Sequence, residues 1–294
     1  MDESQPVHVS VLLEEIVVWL DPQPGKWFVD GTLGGGGHTR ALAERVGTEG
    51  GVIAMDLDAA AIERAEKNLS GMPVQLVQEN YCNLPEILPE TGVEKVDGIV
   101  MDLGLSSDQL ADRGRGFSFD SDGPLDLRFD VEQGEPAYRL IGRLGEKHLA
   151  DLIYAYGEER YSRRIARKIV ERRRQEPIET AADLAMLLRR CIPKRRGGEK
   201  IDPATRTFQA LRIAVNDELK SLEIALRRMP DSLKPGGRIA VISFHSLEDR
   251  RVKEAFREDD RLRILTKRPI GPGSREIETN RRSRSAKLRV AERI

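Results

Sequence analysis

Short apolar runs alternate with helical stretches over the first hundred residues. The apolar runs lie at 27–29, 52–55, 74–77 and 96–101. The stretches between them carry helical spacing at 39–46, 59–69 and 84–88, and a further amphipathic helix precedes them at 9–20. Strands joined by helices require right-handed crossovers, which place helices on both faces of a parallel sheet. The pattern therefore predicts a doubly wound, Rossmann-like α/β fold.

The alternation stops after residue 105. Residues 106–133 are rich in Gly, Ser and Asp and predict a long ordered loop, whereas 144–192 carries helical patterns only. After a loop at 193–203, a long helical pattern at 204–233 ends in Leu-Lys-Pro-Gly-Gly, and strand patterns resume at 238–243, 263–266 and 287–290. We therefore predict one α/β domain formed by 1–109 and 209–294, interrupted by an all-helical insertion at 110–208.

Several classes of protein are disfavoured by what the sequence lacks. No run approaches the roughly 18 apolar residues of a membrane span, and the N-terminal segment does not have the pattern of a secretory signal. We expect a cytoplasmic protein without a membrane partner. Cys82 and Cys191 stand far apart, and the 4 His residues form no pair, so neither a disulfide framework nor a metal site is expected.

Charge is segregated along the chain although the formal net charge is only -1. Residues 1–130 hold 9 Lys and Arg against 24 Asp and Glu, while 160–200 hold 14 against 5 and 261–294 hold 11 against 3. A single basic run is often a solvated helix face. Two basic segments in an otherwise acidic chain favour a polyanionic partner, and nucleic acid is the leading candidate.

A glycine-rich loop follows the first strand, with 5 glycines among the seven residues 31–37. Such a loop lets backbone N–H groups approach a ligand at a helix N-terminus. The third glycine of the dinucleotide fingerprint is missing, since Thr39 and Arg40 occupy the places where it would stand. No Lys-Ser or Lys-Thr pair of a phosphate loop is present either. An NAD-dependent oxidoreductase thus remains an alternative that the spacing disfavours.

Two residues at the ends of the next strands suit a nucleoside. Asp56 ends the second strand, where a carboxylate can accept both hydrogen bonds of a ribose diol. Asp58 already stands at the start of the following helix, so Asp56 is not needed as its cap. Tyr81 follows the third strand, where its ring can stack on an adenine.

Several longer motifs can be compared with known families. They read DGTLGGGGH at 30–38, DLGLSS at 102–107, RGFSF at 115–119, YGEER at 156–160, ATRTFQALRI at 204–213, SFHSLEDR at 243–250 and RSAKLRVAER at 284–293. Together they closely resemble the bacterial ribosomal RNA small subunit methyltransferase H family, also called MraW, whose members depend on S-adenosylmethionine. The resemblance extends over nearly the whole chain.

The resemblance implies a function and a set of binding residues. The function is methylation of the exocyclic N-4 amine of one cytidine in the decoding region of 16S ribosomal RNA, within the small ribosomal subunit. The family's S-adenosylmethionine contacts carry over onto Gly36, Gly37, His38, Asp56, Tyr81, Asp102 and Gln109. Asp108 stands where many relatives have Pro, and Tyr81 replaces a common Phe.

The chemistry of an exocyclic amine favours a hydrogen-bond acceptor at the end of the fourth strand. The lone pair of this amine is delocalised into the ring, so an enzyme must hold its hydrogens. The usual turn of amino methyltransferases is replaced here by Asp-Leu-Gly-Leu, and we predict Asp102 as the catalytic residue. Methylation at carbon 5 would need a thiolate, and neither cysteine stands in a Pro-Cys context.

RNA contacts are expected from the basic segments and the long loop. The candidates are Arg163, Arg164, Arg167, Lys168, Arg172, Arg173, Arg174, Arg281, Arg282 and Arg284. Residues 106–130 would form a lid, with Phe117 and Phe119 stacking on bases. Residues 243–246 would line the pocket. A cofactor-binding ribosome assembly factor, in which methyl transfer is incidental, is a second alternative.

Overall fold

The computed structural model describes residues 10–193 and 202–294. It divides into two compact units, of which the first comprises Met1–Ser107 with Leu219–Ile294 and the second comprises Asp108–Glu218. Val9, where the prediction began the first helix, and most of the loop predicted at 193–203 lie outside the described residues. Within the described part of the chain, no helix is long and apolar enough to cross a membrane.

The first unit contains a seven-stranded sheet in the order β3-β2-β1-β4-β5-β7-β6. Its strands are β1 (Trp27–Asp30), β2 (Gly51–Asp56), β3 (Val74–Gln78), β4 (Val96–Asp102), β5 (Leu233–Ser243), β6 (Leu262–Ile264) and β7 (Lys287–Arg293). The pairs among β1 to β5 are parallel, while β7 runs antiparallel to both β5 and β6. The chain reverses its direction across the sheet between β1 and β4, and ligands bind at such a point in open α/β sheets.

Helices cover both faces of this sheet. The helices of the first unit are α1 (Leu13–Leu20), α2 (Gly37–Val46), α3 (Ala59–Asn68), α4 (Leu84–Glu90), α11 (Glu218–Arg228), α12 (Ser246–Glu258) and α13 (Ser274–Thr279), where α11 begins at the last residue of the second unit. Alternate strand residues point to opposite faces. Phe28 and Val52 pack with α1 and α2, whereas Val29 and Ile53 belong to the core that includes α4, α11 and α12. The predicted doubly wound α/β fold is confirmed.

The second unit is helical. It contains α5 (Ser107–Ala111), which begins one residue before the unit, α6 (Ala137–Arg143), α7 (Glu146–Gly157), α8 (Ser162–Arg173), α9 (Ala181–Cys191) and α10 (Thr205–Val215). Helix α7 packs against α8 and α10. The side chains of Leu149, Ile153 and Ile165, all in this unit, are fully buried. The unit extends ten residues beyond the predicted end at 208.

The structure corrects the helix predicted at 204–233. That segment contains two helices, α10 and α11, separated at Asn216 and Asp217, and Asp217 has a left-handed φ of 50°. The Asn216 side chain accepts from the Phe129 N–H at 2.7 Å and donates to the Leu127 carbonyl at 2.7 Å. These bonds to distant backbone explain the break. Leu233–Gly237, predicted as a turn, is the first part of β5 and pairs across a register shift with β4.

Candidate active site

Three aspartates end three adjacent parallel strands. Asp30 ends β1, Asp56 ends β2 and Asp102 ends β4, and β1 lies between the other two. The carboxyl ends of parallel strands meet at one edge of a sheet. The fold therefore gathers three carboxyl groups beside the glycine-rich loop that leads from β1 into α2.

The glycine loop is held in a tight turn against β2. Gly34 and Gly36 have left-handed φ angles of 50° and 77°, a conformation that residues with a Cβ rarely adopt. The Leu33 N–H donates to the Met55 carbonyl at 2.9 Å, and the Gly34 N–H donates to Asp56 Oδ2 at 2.9 Å. Gly36 is the N-cap of α2 and, having no side chain, makes no side-chain bond to the first turn of that helix. Its N-terminal N–H groups are thus available for a ligand.

Asp56 connects the loop to the second strand. Its Oδ1 accepts from the Asp58 N–H at 2.9 Å, while Oδ2 accepts from the Gly34 N–H. Each carboxylate oxygen has a second lone pair, so both can accept one more hydrogen bond. Burial raises the pKa of Asp56 to about 6. The Asp58 side chain accepts from the Ala60 N–H and caps α3, so Asp58 has the predicted capping role.

Asp30 has a structural place beneath the loop. The side chain is completely buried, with Oδ1 accepting from the Thr32 N–H at 3.1 Å and Oδ2 from the Thr39 hydroxyl at 2.7 Å. Burial raises the pKa of Asp30 above its ordinary value, against the opposing effects of His38 and these hydrogen bonds. Asp30 thus ties β1 to the first turn of α2.

His38 and Asp102 face each other under the site. His38 is the second residue of α2, its side chain is 5% exposed, and its Nε2 lies 3.5 Å from Asp102 Oδ2. Asp102 Oδ1 is buried and has no hydrogen-bond partner among the described residues. Burial alone would lower the pKa of His38, but the carboxylates of Asp102, Asp30 and Glu276 outweigh it and raise this pKa. Both residues are predicted from the sequence as cofactor contacts, but no sequence pattern indicates that they form a pair.

The remaining predicted cofactor residues are Tyr81 and Gln109. Tyr81 begins a short 3-10 turn after β3, and its Cβ lies 3.1 Å from the place that a Cβ on Gly31 would occupy. The first unit therefore brings six of the seven residues to one sheet edge, namely Gly36, Gly37, His38, Asp56, Tyr81 and Asp102. Gln109 is buried and lies in α5 of the second unit.

The loop after Asp102 has two anchors that the sequence did not reveal. The Asp102 N–H donates to the Thr32 hydroxyl at 2.6 Å. The Arg282 guanidinium donates to the Leu105 carbonyl and the Ser107 hydroxyl. Arg282, predicted as an RNA contact, thus binds its own chain, while its neighbours Arg281 and Arg284 are exposed.

The segment predicted as pocket lining at 243–246 contains a helix cap. His245 accepts from the Glu248 N–H, and the Glu248 carboxylate accepts from the His245 N–H, which forms a capping box for α12. The Phe244 N–H also donates to Glu248 Oε2 at 2.8 Å. His245 therefore starts a helix.

The basic helix α8 has two faces. Ile165, Ile169 and Val170 are buried, while Arg163, Arg164, Arg167 and Lys168 are exposed. Nε of Arg167 lies 3.6 Å from Oε1 of Glu146, and Nζ of Lys168 lies 2.6 Å from Oε2 of Glu171. Arg173 donates to the Ile141 carbonyl and so stabilises the unit itself.

The two predicted stacking rings occupy different environments. Phe117 is 4% exposed, stacks on Phe129 with centroids 5.9 Å apart, and belongs to the core of the second unit. The prediction that Phe117 stacks on RNA bases is therefore wrong, because its faces are already covered by protein. Phe119 is half-buried and meets Phe208 edge to face at 4.9 Å.

Proteins with similar sequences and a similar fold are known. A protein of Rhodopirellula baltica named ribosomal RNA small subunit methyltransferase H is 52% identical and aligns with 99% of this chain and 93% of its own. A protein of the same name from Deinococcus radiodurans is 53% identical, with 97% and 89% covered. A crystal structure from Clostridium thermocellum, assigned as an rRNA methylase, shares the fold with a TM-score of 0.50 at 15% identity, covering 97% of this chain and 98% of that one.

The model of one protein family matches nearly the full length. That family is described as the MraW methylase family, and the match covers residues 5–294. The resemblance predicted from the motifs, with its S-adenosylmethionine-dependent methyltransferase fold, is thereby confirmed. The chain belongs to the MraW methylase family.

Proposed function

We propose that this protein transfers a methyl group from S-adenosylmethionine to the N-4 amine of a cytidine in the decoding region, at the P site, of 16S ribosomal RNA. The observation that carries the proposal is the family match over residues 5–294, with relatives about half identical that are named for the small-subunit RNA. The site supports it independently, because its acceptors suit a nucleoside cofactor and an amine. Such a substrate places the protein in the cytoplasm.

The residues at the sheet edge fit S-adenosylmethionine. Gly36 would shape the turn, since its N–H donates to the Leu33 carbonyl at 2.7 Å. The backbone N–H groups of Gly37 and His38 would hold the methionine part, and Asp56 would accept the ribose hydroxyls with its two remaining lone pairs. Tyr81 would pack on the adenine, and Gln109 and Asp102 would complete the contacts. The buried Asp102 Oδ1, which lacks a partner in the described chain, is the kind of atom that a bound ligand satisfies. When bound, the cofactor supplies a methyl group on a positively charged sulfur, which leaves with the electron pair of the broken C–S bond.

Asp102 would act on the substrate amine. Its oxygen accepts a hydrogen from the exocyclic nitrogen, which favours the lone pair that forms the new C–N bond. The nitrogen becomes positively charged as this bond forms and then loses one proton, whose electron pair stays on nitrogen. Asp102, at the end of β4, would accept that proton.

The second unit would bind the RNA. The exposed face of α8 presents Arg163, Arg164, Arg167 and Lys168, which suit phosphates. Because phosphate contacts position RNA without reading its sequence, the target base must be recognised elsewhere, after being turned out of its stack. We propose that Asp108–Glu218 is the substrate-recognition domain.

One transfer assay tests this function. Labelled methyl from S-adenosylmethionine is offered to small ribosomal subunits and, separately, to the same RNA stripped of protein, followed by nucleoside analysis. We expect label in N-4-methylcytidine from subunits. Label in another nucleoside, or none in either substrate with cofactor binding intact, would show that the substrate has been misassigned.

A further inference from the structure

We propose that the His38 imidazole is a positioning residue for Asp102. In this proposal, His38 holds Asp102 Oδ2 and thereby leaves Oδ1 to accept the hydrogen of the substrate amine. The proposal rests on the function stated above, because it assigns the amine as the group that Oδ1 receives. His38 would not touch the reacting atoms and would act only through the carboxylate.

The His38 and Asp102 side chains lie close together and are shielded from solvent. Nε2 of His38 lies 3.5 Å from Oδ2 of Asp102, and their side chains are only 5% and 21% exposed. Neither ring nitrogen of His38 has a hydrogen-bond partner within residues 10–193 and 202–294. Buried polar atoms without a partner are uncommon and need an explanation. At 3.5 Å the Asp102 carboxylate is within ion-pair distance of Nε2 without a hydrogen bond, and an incoming hydrogen-bond donor would satisfy Oδ1.

Carboxyl groups surround the His38 imidazole. Three carboxyl groups face the imidazole from different elements, namely Asp30 from β1, Asp102 from β4 and Glu276 from α13. Asp30 is already bonded to Thr32 and Thr39, and Glu276 accepts from the Leu12 N–H at 2.9 Å. Asp102 is therefore the carboxylate that His38 can orient. A positive charge on His38 also offsets the repulsion between Asp30 and Asp102.

Loss of the imidazole would affect the Asp102 carboxylate and not its backbone. The backbone of Asp102 is fixed independently, by β4 and by the Thr32 hydroxyl. Without His38, the Asp102 carboxylate can rotate while the glycine loop and Asp56 keep their backbone contacts. The expected defect is therefore in turnover and not in cofactor affinity.

A histidine titration tests the pairing without any cofactor or substrate. The four imidazoles are followed by NMR across pH in the wild-type chain and in Asp102→Asn. Because the Asp102 carboxylate raises the pKa of His38, we expect its removal to lower that pKa. The exposed His148, which lies in the second unit, is the internal control. An unchanged His38 titration in Asp102→Asn would overturn the proposal.

Kinetics with a matched pair of variants tests the positioning role. His38→Gln keeps an N–H donor that can reach Asp102, whereas His38→Met has similar length and no donor. We expect kcat to fall about 100-fold in His38→Met and about 10-fold or less in His38→Gln, with the Kd for S-adenosylmethionine within about threefold. His148→Gln should leave kcat unchanged.

A double variant separates action through Asp102 from a direct effect. In the Asp102→Asn background, His38→Met should lower kcat by less than about a further twofold, because the carboxylate that His38 positions is gone. The proposal would be contradicted if the losses in kcat of the two single variants multiply in the double variant. It would also be contradicted if the Kd for S-adenosylmethionine rises as much as kcat falls. If the wild-type chain methylates no cytidine, the proposed function fails while the titration still decides whether His38 and Asp102 are paired. If variants at position 38 fold poorly, the titration of the wild-type chain and Asp102→Asn still tests the pairing of His38 with Asp102.

Discussion

At the scale of single residues, the role that we propose for Asp56 makes cofactor binding dependent on pH. Burial raises the pKa of this carboxyl to about 6, so it is largely protonated at pH 5 and ionised at pH 7. Only the ionised form can accept a hydrogen bond from each ribose hydroxyl while still holding the Gly34 and Asp58 N–H groups. Affinity for the cofactor should therefore be lost as pH falls through about 6 and gained as it rises.

The expected size of this effect follows from the ionised fraction. Between pH 7 and pH 5 the Kd for S-adenosylmethionine, measured by calorimetry, should rise about tenfold in the wild-type protein. Asp56→Asn cannot ionise, so we expect weaker binding with little dependence on pH, and Asp56→Ala should bind weakest. The same tenfold change in Asp56→Asn would show that another group causes it.

At the scale of elements, buried strands were predictable from the sequence and long-range contacts were not. The runs at 52–55 and 96–101 are apolar throughout because β2 and β4 are buried on both faces, so composition alone reveals them. The break between α10 and α11 depends on Asn216 binding residues 87 and 89 positions away, which no local pattern records. The pairing of His38 with Asp102 escapes sequence reasoning for the same reason.

The Asn216 contacts predict a stability effect in the second unit. Asn216→Ala removes the partner of the Phe129 N–H and one donor to the Leu127 carbonyl, both partly buried. Leaving such groups unpaired should lower the free energy of unfolding by about 2–4 kcal/mol, measured by denaturant titration. Gln175→Ala, at an exposed position of the same unit, should change it by less than about 0.5 kcal/mol. Equal effects from both variants would refute the role given to Asn216.

The exposed face of α8 predicts the salt dependence of RNA binding. Arg163→Glu combined with Arg164→Glu should weaken binding of small-subunit RNA and reduce the slope of log K against log salt by about two, since each phosphate contact contributes nearly one. The matched control is Lys67→Glu with Lys95→Glu, which makes the same charge change at exposed positions of the first unit. A control that loses as much affinity as the α8 variant would indicate a general charge effect and no binding face.

At the scale of the whole molecule, the work that we propose divides between the two units. Six of the seven proposed cofactor residues belong to Met1–Ser107, and the basic face belongs to Asp108–Glu218. Each unit buries its own apolar side chains, as Val29 does in the first and Ile153 in the second. Gln109 is the exception, because it is the one proposed cofactor residue that the second unit supplies.

This division predicts where S-adenosylmethionine protects the backbone from hydrogen exchange. A ligand stabilises the unit that it binds, and at a concentration of 100 Kd exchange that requires this unit to unfold should slow about 100-fold. We expect that slowing in β1, β2 and α2, with local protection in α5 around Gln109, and no change in α8 or α9. Protection that extends equally through α8 and α9 would mean that both units unfold together. An unprotected α5 would remove Gln109 from the cofactor site while leaving Asp56 and the glycine loop in place.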